Sequence, residues 1–313
     1  MEVRQLRYFA AVADAGSFSQ AARTLNVAQS AISYQITRLE EELGTSLLER
    51  LARGVTLTET GHVFLAHALT ILRQLEDARL SVDRPPAQLT GRVSVGFPPS
   101  VCNALAVPFL QAVRSEMPGI DIELTEQASG DLAAQLQSGI INLAVLFNDR
   151  ELGKFLRQPL VDEELFLISR EPIEAECGDA VTLRTALCRP LMLASQQQGV
   201  RQIVELAASE KRLPPPNVIA ELNSVSILRS ALLAGIGSTI LPPMSLQHEL
   251  AAGLVHGRSI CDPALSRRVS ICASTIVPMA PATLAVFKLT RRLAHGLAHS
   301  GDWRHALAVA SAA

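Results

Sequence analysis

The chain has 313 residues, enough for two or three domains, and a hydrophobic content of 48% that supports real cores. Its formal net charge of -2 argues against a protein that holds polyanions by bulk positive charge. Five cysteines without a C-x-x-C pair or metal-ligand spacing to histidine read as reduced thiols and no metal site.

The N-terminus carries Arg4 and Arg7 but no uninterrupted apolar stretch of the kind a signal peptide needs. No apolar run approaches the ~20 residues of a membrane span, so a cytoplasmic place without a membrane partner is expected. Residues 4–14, with Leu6, Phe9, Ala10 and Ala13, predict a first helix that packs on the elements after it. Ser17 and Gln20 have capping-box spacing, and Phe18, Ala21, Ala22 and Leu25 make one apolar stripe of a second helix. Asn26 breaks that pattern. A third helix starts near Gln29, with Ile32, Ile36, Leu39 and Leu43 as its apolar stripe. Its other face carries Ser30, Ser33, Tyr34 and Thr37, with Gln29, Gln35 and Arg38 beside them. Such amide and hydroxyl groups suit base edges in a major groove, so the pair of helices reads as a helix-turn-helix. The alternative is a helical hairpin with an ordinary solvated face.

Several groups of residues in this stretch match one family: Gly16-Ser17-Phe18, Gln20-Ala21-Ala22, Leu25, Gln29-Ser30-Ala31-Ile32-Ser33, Ile36, Leu39-Glu40, Leu43-Gly44, Leu47-Leu48 and Arg50. With Thr56-Leu57-Thr58-Glu59 and Gly61, they resemble the LysR-type transcriptional regulators. Ser30 stands where that family usually has proline, and Tyr34 where arginine is frequent, which leaves the bases read at position 34 open. The resemblance implies double-stranded promoter DNA as partner, assembly as a dimer of dimers, contact with RNA polymerase and no cofactor.

Leu47–Thr58 reads as a two-stranded wing with its turn at Arg53-Gly54. Arg50 and Arg53 are its candidate DNA contacts, in the minor groove or on phosphate. Thr58 is a plausible N-cap for a helix that runs to about Asp83, before Pro85-Pro86. Phe64, Ala68, Ile71, Leu75, Ala78 and Val82 alternate spacings of four and three, a seam that suits a partner helix. The resemblance agrees, since the family has a linker helix here.

From Arg92 the period changes. Val93 to Phe97, a helix to about Met117, Ile120–Glu126, a helix at Gly130–Ser138 and Leu143–Phe147 read as βαβαβ with a parallel sheet. Leu156–Val161 and Leu165–Ser169 leave that unit. A second unit follows: Leu191–Ala194, Val200–Lys211, Val218–Leu222, Ser224–Ala234 and Ser238–Leu241. Val269–Ala273 and Ala282–Ala298 return to the first. The order and length resemble the two-lobed, periplasmic-binding-protein-like effector domain of the same family. The expected organisation is an all-α winged helix-turn-helix head at 1–58, a linker helix and hinge at 59–90, and an α/β effector domain at 91–300. Its lobe I covers about 91–162 and 268–300, and its lobe II about 163–267.

Ligands of open α/β units lie beyond the carboxyl ends of the strands, here a crevice between lobes. Ser100 and Ser129 sit at expected helix starts, and by resemblance at positions that often contact the effector. Gln196, Gln198 and Arg201 follow a strand of the second unit, and Arg201 is placed to balance a carboxylate. A small anionic metabolite is therefore the expected ligand. Helix capping for the serines and a surface ion pair for Arg201 are the plain alternatives. Some family members sense oxidants through paired cysteines, but Cys177 and Cys188 lack an activating basic cluster.

No G-x-S-x-G, Walker loop or H-E-x-x-H occurs, and the seven histidines are scattered, so an enzyme is not expected. Arg53-Gly54-Val55, Ala144-Val145-Leu146 and Gln158-Pro159-Leu160 look similar to the nitrogen-assimilation-control branch of the family. The reading is a LysR-type regulator that senses a metabolite. A regulator of the same type without an effector, and a solute-binding module, are its rivals.

Overall fold

The structure, a computed structural model, describes residues 1–51, 54–82, 89–147, 155–195, 199–274 and 279–309. It divides into two compact units, one of Met1–Gln88 with Ser138–Ile140 and one of Leu89–Gln137 with Ile141–Ala313.

The first unit opens with α1 (Val3–Ala15), whose start is held by Gln5 accepting from the Glu2 N–H at 2.7 Å. Ser17 caps α2 (Phe18–Leu25), its Oγ accepting from the Gln20 N–H at 3.4 Å. Asn26 ends that helix in the left-handed region at φ 53°, which its short polar side chain tolerates. The third helix, α3, spans Gln29–Leu43 and stops at Gly44. Strands β1 (Leu48–Leu51) and β2 (Gly54–Leu57) pair antiparallel as the wing. Thr58 then accepts from the Gly61 N–H at 2.9 Å and starts α4 (Glu59–Val82). Leu6, Phe9, Val12, Phe18, Ala21, Ile32, Ile36, Leu39 and Leu47 form one core, so the expected apolar stripes converge except at Leu43, which is exposed at the end of α3.

In the second unit, β3 (Gly91–Phe97) leads into α5 (Pro99–Val101), which continues through a π-helical turn at Cys102–Ala106 into α6 (Val107–Glu116). Next come β4 (Ile120–Glu126), α7 (Ser129–Gln137), β5 (Leu143–Phe147), β6 (Phe155–Glu164), β7 (Phe166–Ser169), β8 (Ala180–Thr182) and α8 (Leu183–Cys188). The chain goes on with β9 (Leu191–Leu193), α9 (Gly199–Glu210), β10 (Val218–Glu221), α10 (Val225–Leu233), β11 (Thr239–Leu241) and, after a short 3-10 turn, α11 (Gln247–Ala251). It closes with β12 (His256–Cys261), β13 (Ser266–Ser274), α12 (Pro281–Ser300) and β14 (Ala306–Ala308).

Lobe I is a six-stranded sheet in the order β14-β6-β13-β5-β3-β4, with β3 parallel to β4 and β5 as the βαβαβ pattern requires. Lobe II has the sheet β11-β7-β12-β8 and the parallel pair β10-β9. Each lobe keeps its own apolar cluster, one around Val93, Phe97, Phe109 and Val286, the other around Leu165, Leu183, Leu191 and Val204.

Three expectations need correction. Lobe I does not end at residue 300: β14 adds a strand to its sheet, and Trp303, 1% exposed, is part of its core. Strands β8 and β12 and helix α8 lie outside the expected elements, being short and flanked by polar turns that hide their period. Cys177 and Cys261 are joined as a disulfide rather than free, whereas Cys102, Cys188 and Cys272 are free. Topology brings the pair together: Cys177 bridges to Ala180, and Cys261 lies opposite Thr182 on the neighbouring strand. A separation of 84 residues carries no local signal of that contact.

Candidate functional site

The outward face of α3 is what the spacing predicts. Gln29, Ser30, Tyr34, Thr37 and Arg38 are exposed, and Ser33 and Gln35 are half-buried. Tyr34 is 60% exposed, a large side chain left uncovered on a polar face. Ile32, Ile36 and Leu39 are buried on the opposite side and fix the rotation of the helix. Arg50 is placed differently from a wing-tip residue. From β1 it reaches back to donate to Ser33 Oγ at 3.2 Å, and its guanidinium lies 5.0 Å from the centre of the Phe18 ring. It thus ties the wing to α2 and α3. Arg53 lies outside the described residues. Glu40, which the sequence gives only as part of the Leu39-Glu40 motif, accepts from the Leu47 and Leu48 N–H groups at 2.8 and 3.1 Å and fixes where β1 begins.

The expected seam on α4 is split. Ala68 is fully buried against its own head, and Phe64 packs edge-on to Phe9 with ring centroids 5.4 Å apart. These two therefore belong to the fold of one chain and not to a free seam. The reason is that α1 covers the first half of α4, which composition alone does not reveal. Ile71 and Ala78 remain exposed and Leu75 half-buried, while the Val82 side chain lies outside the described residues. Val63 is exposed too, on a neighbouring strip of the helix.

Between the lobes of the second unit lies a cavity of about 400 Å³. Loops after four strands meet there: Pro98–Ser100 after β3, Gln127–Ser129 after β4, Ala194 after β9 and Leu222–Ser226 after β10. Both predicted serines line it, but each hydroxyl is engaged. Ser129 Oγ accepts from the Phe147 N–H at 3.1 Å, and Ser100 Oγ accepts from Arg267 Nη2 at 2.7 Å. Arg201 is a correction. It does not line the cavity; it is buried in lobe II and pairs with Glu205 one turn along α9. Gln196 and Gln198 lie outside the described residues.

The basic group that does reach the crevice is Arg267, which sequence reading missed. Its register on β13 puts it opposite Glu163 on β6, and its guanidinium donates to Glu163 Oε2 at 2.7 Å. The same guanidinium sits 3.5 Å from the centre of the Phe147 ring. Trp303 Nε1 donates to Glu163 Oε1 at 3.0 Å, so a buried chain runs from the C-terminal segment to the crevice wall. Burial pulls the Arg267 pKa down from its ordinary value, and the carboxylate of Glu163 opposes that pull. An arginine placed just before the apolar run Val269–Ala273 was the available signal. On lobe I, burial and then the Glu126 carboxylate push the Cys102 thiol up to about 12.

Among the described residues no helix is long and apolar enough to cross a membrane, and no group of three or more side chains is arranged to hold a metal ion. A helix-turn-helix with a wing, followed by a linker helix and a two-lobed unit with a crevice, defines a ligand-responsive type of transcriptional regulator. Residues 3–62 match the profile of the bacterial regulatory helix-turn-helix protein, lysR family, and residues 86–294 that of the LysR substrate binding domain. The chain belongs to the LysR family and is a DNA-binding transcriptional regulator, not an enzyme.

Its curated relatives include the nitrogen assimilation regulatory protein nac of Klebsiella aerogenes, 35% identical over 91% of this chain and 93% of that protein. The nac protein of Escherichia coli K12 is also 35% identical, over 92% and 94%. Both agree with the branch resemblance read from the sequence. Among solved structures, a full-length OxyR variant from Pseudomonas aeruginosa has a TM-score of 0.70 at 22% identity, covering 94% of this chain and 98% of that one. Full-length CbnR with its target DNA has a TM-score of 0.65 at 24% identity, covering 94% and 100%. These two bear on the fold alone.

Proposed function

We propose that this regulator reads promoter DNA in the cytoplasm through α3 and the wing, pairs with further copies through the exposed face of α4, and responds to a small molecule held between its lobes. The DNA-reading part is supported by the uncharged polar face of Gln29, Ser33 and Tyr34, laid out on a helix whose other side is locked in the head. Base contacts set specificity, and losing one should cost ~1–3 kcal/mol at one position of the site. Gln29→Ala and Tyr34→Ala are expected to change base preference in gel shifts against a randomised duplex pool. Arg50→Ala should weaken binding to all duplexes together, because Arg50 braces Ser33 and Phe18. Unchanged preference in both the Gln29 and Tyr34 variants would remove α3 from the reading role.

The sensing part rests on one observation: loops from both lobes converge on a single cavity of about 400 Å³, within the range of small-molecule sites. A ligand held there regulates only through different affinities for two lobe arrangements. Melting curves of the full chain against a metabolite library test it. Narrowing the cavity with Leu228→Trp should abolish any shift found; a shift that survives unchanged places the ligand elsewhere.

A further inference from the structure

The wall of the interlobe cavity has a charge pattern that fits a ligand opposite in sign to the expected anion. Three features that attract anions are already answered within the chain. Arg267, the one basic side chain among the described wall residues, is neutralised by Glu163 directly behind it. The start of α7 carries Asp131 in its first turn, which offsets the positive end of that helix. The start of α10 is capped by Ser224, whose Oγ accepts from the Ile227 N–H at 3.4 Å. Arg201, the remaining candidate, turns to Glu205.

Left over are acceptors. Glu126, at the end of β4, and Asp131 both line the cavity on the lobe I side and both are exposed to it and to solvent. No basic partner among the described wall residues faces them, since Arg267 is spent on Glu163. The opposite wall carries an apolar patch of Leu193, Val200, Leu222, Val225, Leu228 and Ile240, bordered by the uncharged Asn223, Ser224 and Thr239. Among the described wall residues, an anion entering this space meets the carboxylates of Glu126 and Asp131 and no cation that lacks a carboxylate partner. An ammonium group meets the reverse, and a short aliphatic body covers the lobe II side.

We propose that the crevice selects a small organic cation, an aliphatic amine whose ammonium group lies toward Glu126 and Asp131 and whose chain lies against the apolar wall of lobe II. This rests on the reading of the crevice as the sensing site and adds the ligand's charge class. It would replace the anionic metabolite that Ser100, Ser129 and Arg201 together suggested from sequence.

Three five-carbon probes of matched length separate the alternatives on the full chain: 1,5-diaminopentane, 5-aminopentanoate and glutarate. Isothermal titration should rank their affinities in that order, with glutarate giving no heat above dilution. Glu126→Gln with Asp131→Asn should weaken 1,5-diaminopentane about tenfold or more, since both acceptors lose their charge. Glu123→Gln, on the same strand but paired with Arg92 outside the cavity, should keep the ranking. Tightest binding by glutarate would overturn the charge class and leave the sensing crevice standing. Binding of the diamine that ignores the double variant would overturn the proposed contacts. No heat from any probe would remove this proposal, and a library screen that finds a different ligand in the crevice would still uphold the sensing reading.

Discussion

Gly61 shows how tightly single residues constrain the head. A Cβ built there would lie 2.0 Å from the Leu47 carbonyl oxygen, a backbone atom that cannot swing away. The same carbonyl accepts from the Thr58 N–H at 3.0 Å, so the strand entering the wing and the first turn of α4 are fastened at one point. Gly61→Ala is therefore expected to destabilise the head by about 1–3 kcal/mol, as overpacking does, and to weaken DNA binding by moving the wing. Urea denaturation read against gel shifts checks it; a stability within error of the parent would mean the turn relaxes without cost. Residues of this kind are half legible in sequence. Gly61 belongs to a family motif, but its reason, the close approach of Leu47, exists only in three dimensions. Ser33 is similar: its place on the polar face follows from spacing, whereas its bond to Arg50 depends on how the wing folds back.

Elements were the most legible scale, and α4 shows where legibility stopped. Its start at Thr58 and its apolar period were both readable, because capping and spacing are local properties. How much of its apolar face is free was not readable, since that depends on the packing of α1. With Phe64 and Ala68 used inside the head, what stays free is the later part of the same face, with Ile71 and Ala78. A partner helix covering that face removes apolar surface from water at ~25 cal/mol per Å². Ile71→Asp would set an unpaired charge into such a contact, and the expected outcome is a lower oligomer in sedimentation velocity with DNA affinity lost through reduced avidity. Because Ile71 is 40% exposed in the single chain, the variant should fold, which circular dichroism confirms or denies. A folded Ile71→Asp with its assembly unaltered would move the interface to another surface. Strands of lobe I such as β4 and β5 were also legible to the residue, while β14 and β12 were not, being defined by partners far away in the chain.

Across the whole second unit, the least legible feature is the buried chain of groups from Trp303 through Glu163 and Arg267 to Ser100. Sequence periodicity places each of these residues on an element, yet none of their contacts is local; Trp303 and Glu163 are 140 residues apart. The consequence reaches the crevice, because Glu163 decides whether the guanidinium on the wall acts as a free charge. Removing one partner of a buried pair leaves the other uncompensated, at a cost of about 3–5 kcal/mol. Glu163→Gln should thus lower the melting temperature of the full chain and, in the protein that still folds, turn the crevice toward anions, so that glutarate gains affinity at the expense of 1,5-diaminopentane. Trp303→Phe supplies the milder partner experiment. It keeps an aromatic ring but drops the Nε1 donor, costing about 1.5–3 kcal/mol for a bond to a charged group, and leaves the charges of Glu163 and Arg267 paired. It is therefore expected to lower the melting temperature without reversing the ligand ranking. If Trp303→Phe reverses the ranking as Glu163→Gln does, the C-terminal segment controls the charge of the crevice directly; if neither variant alters it, Arg267 has no part in ligand choice.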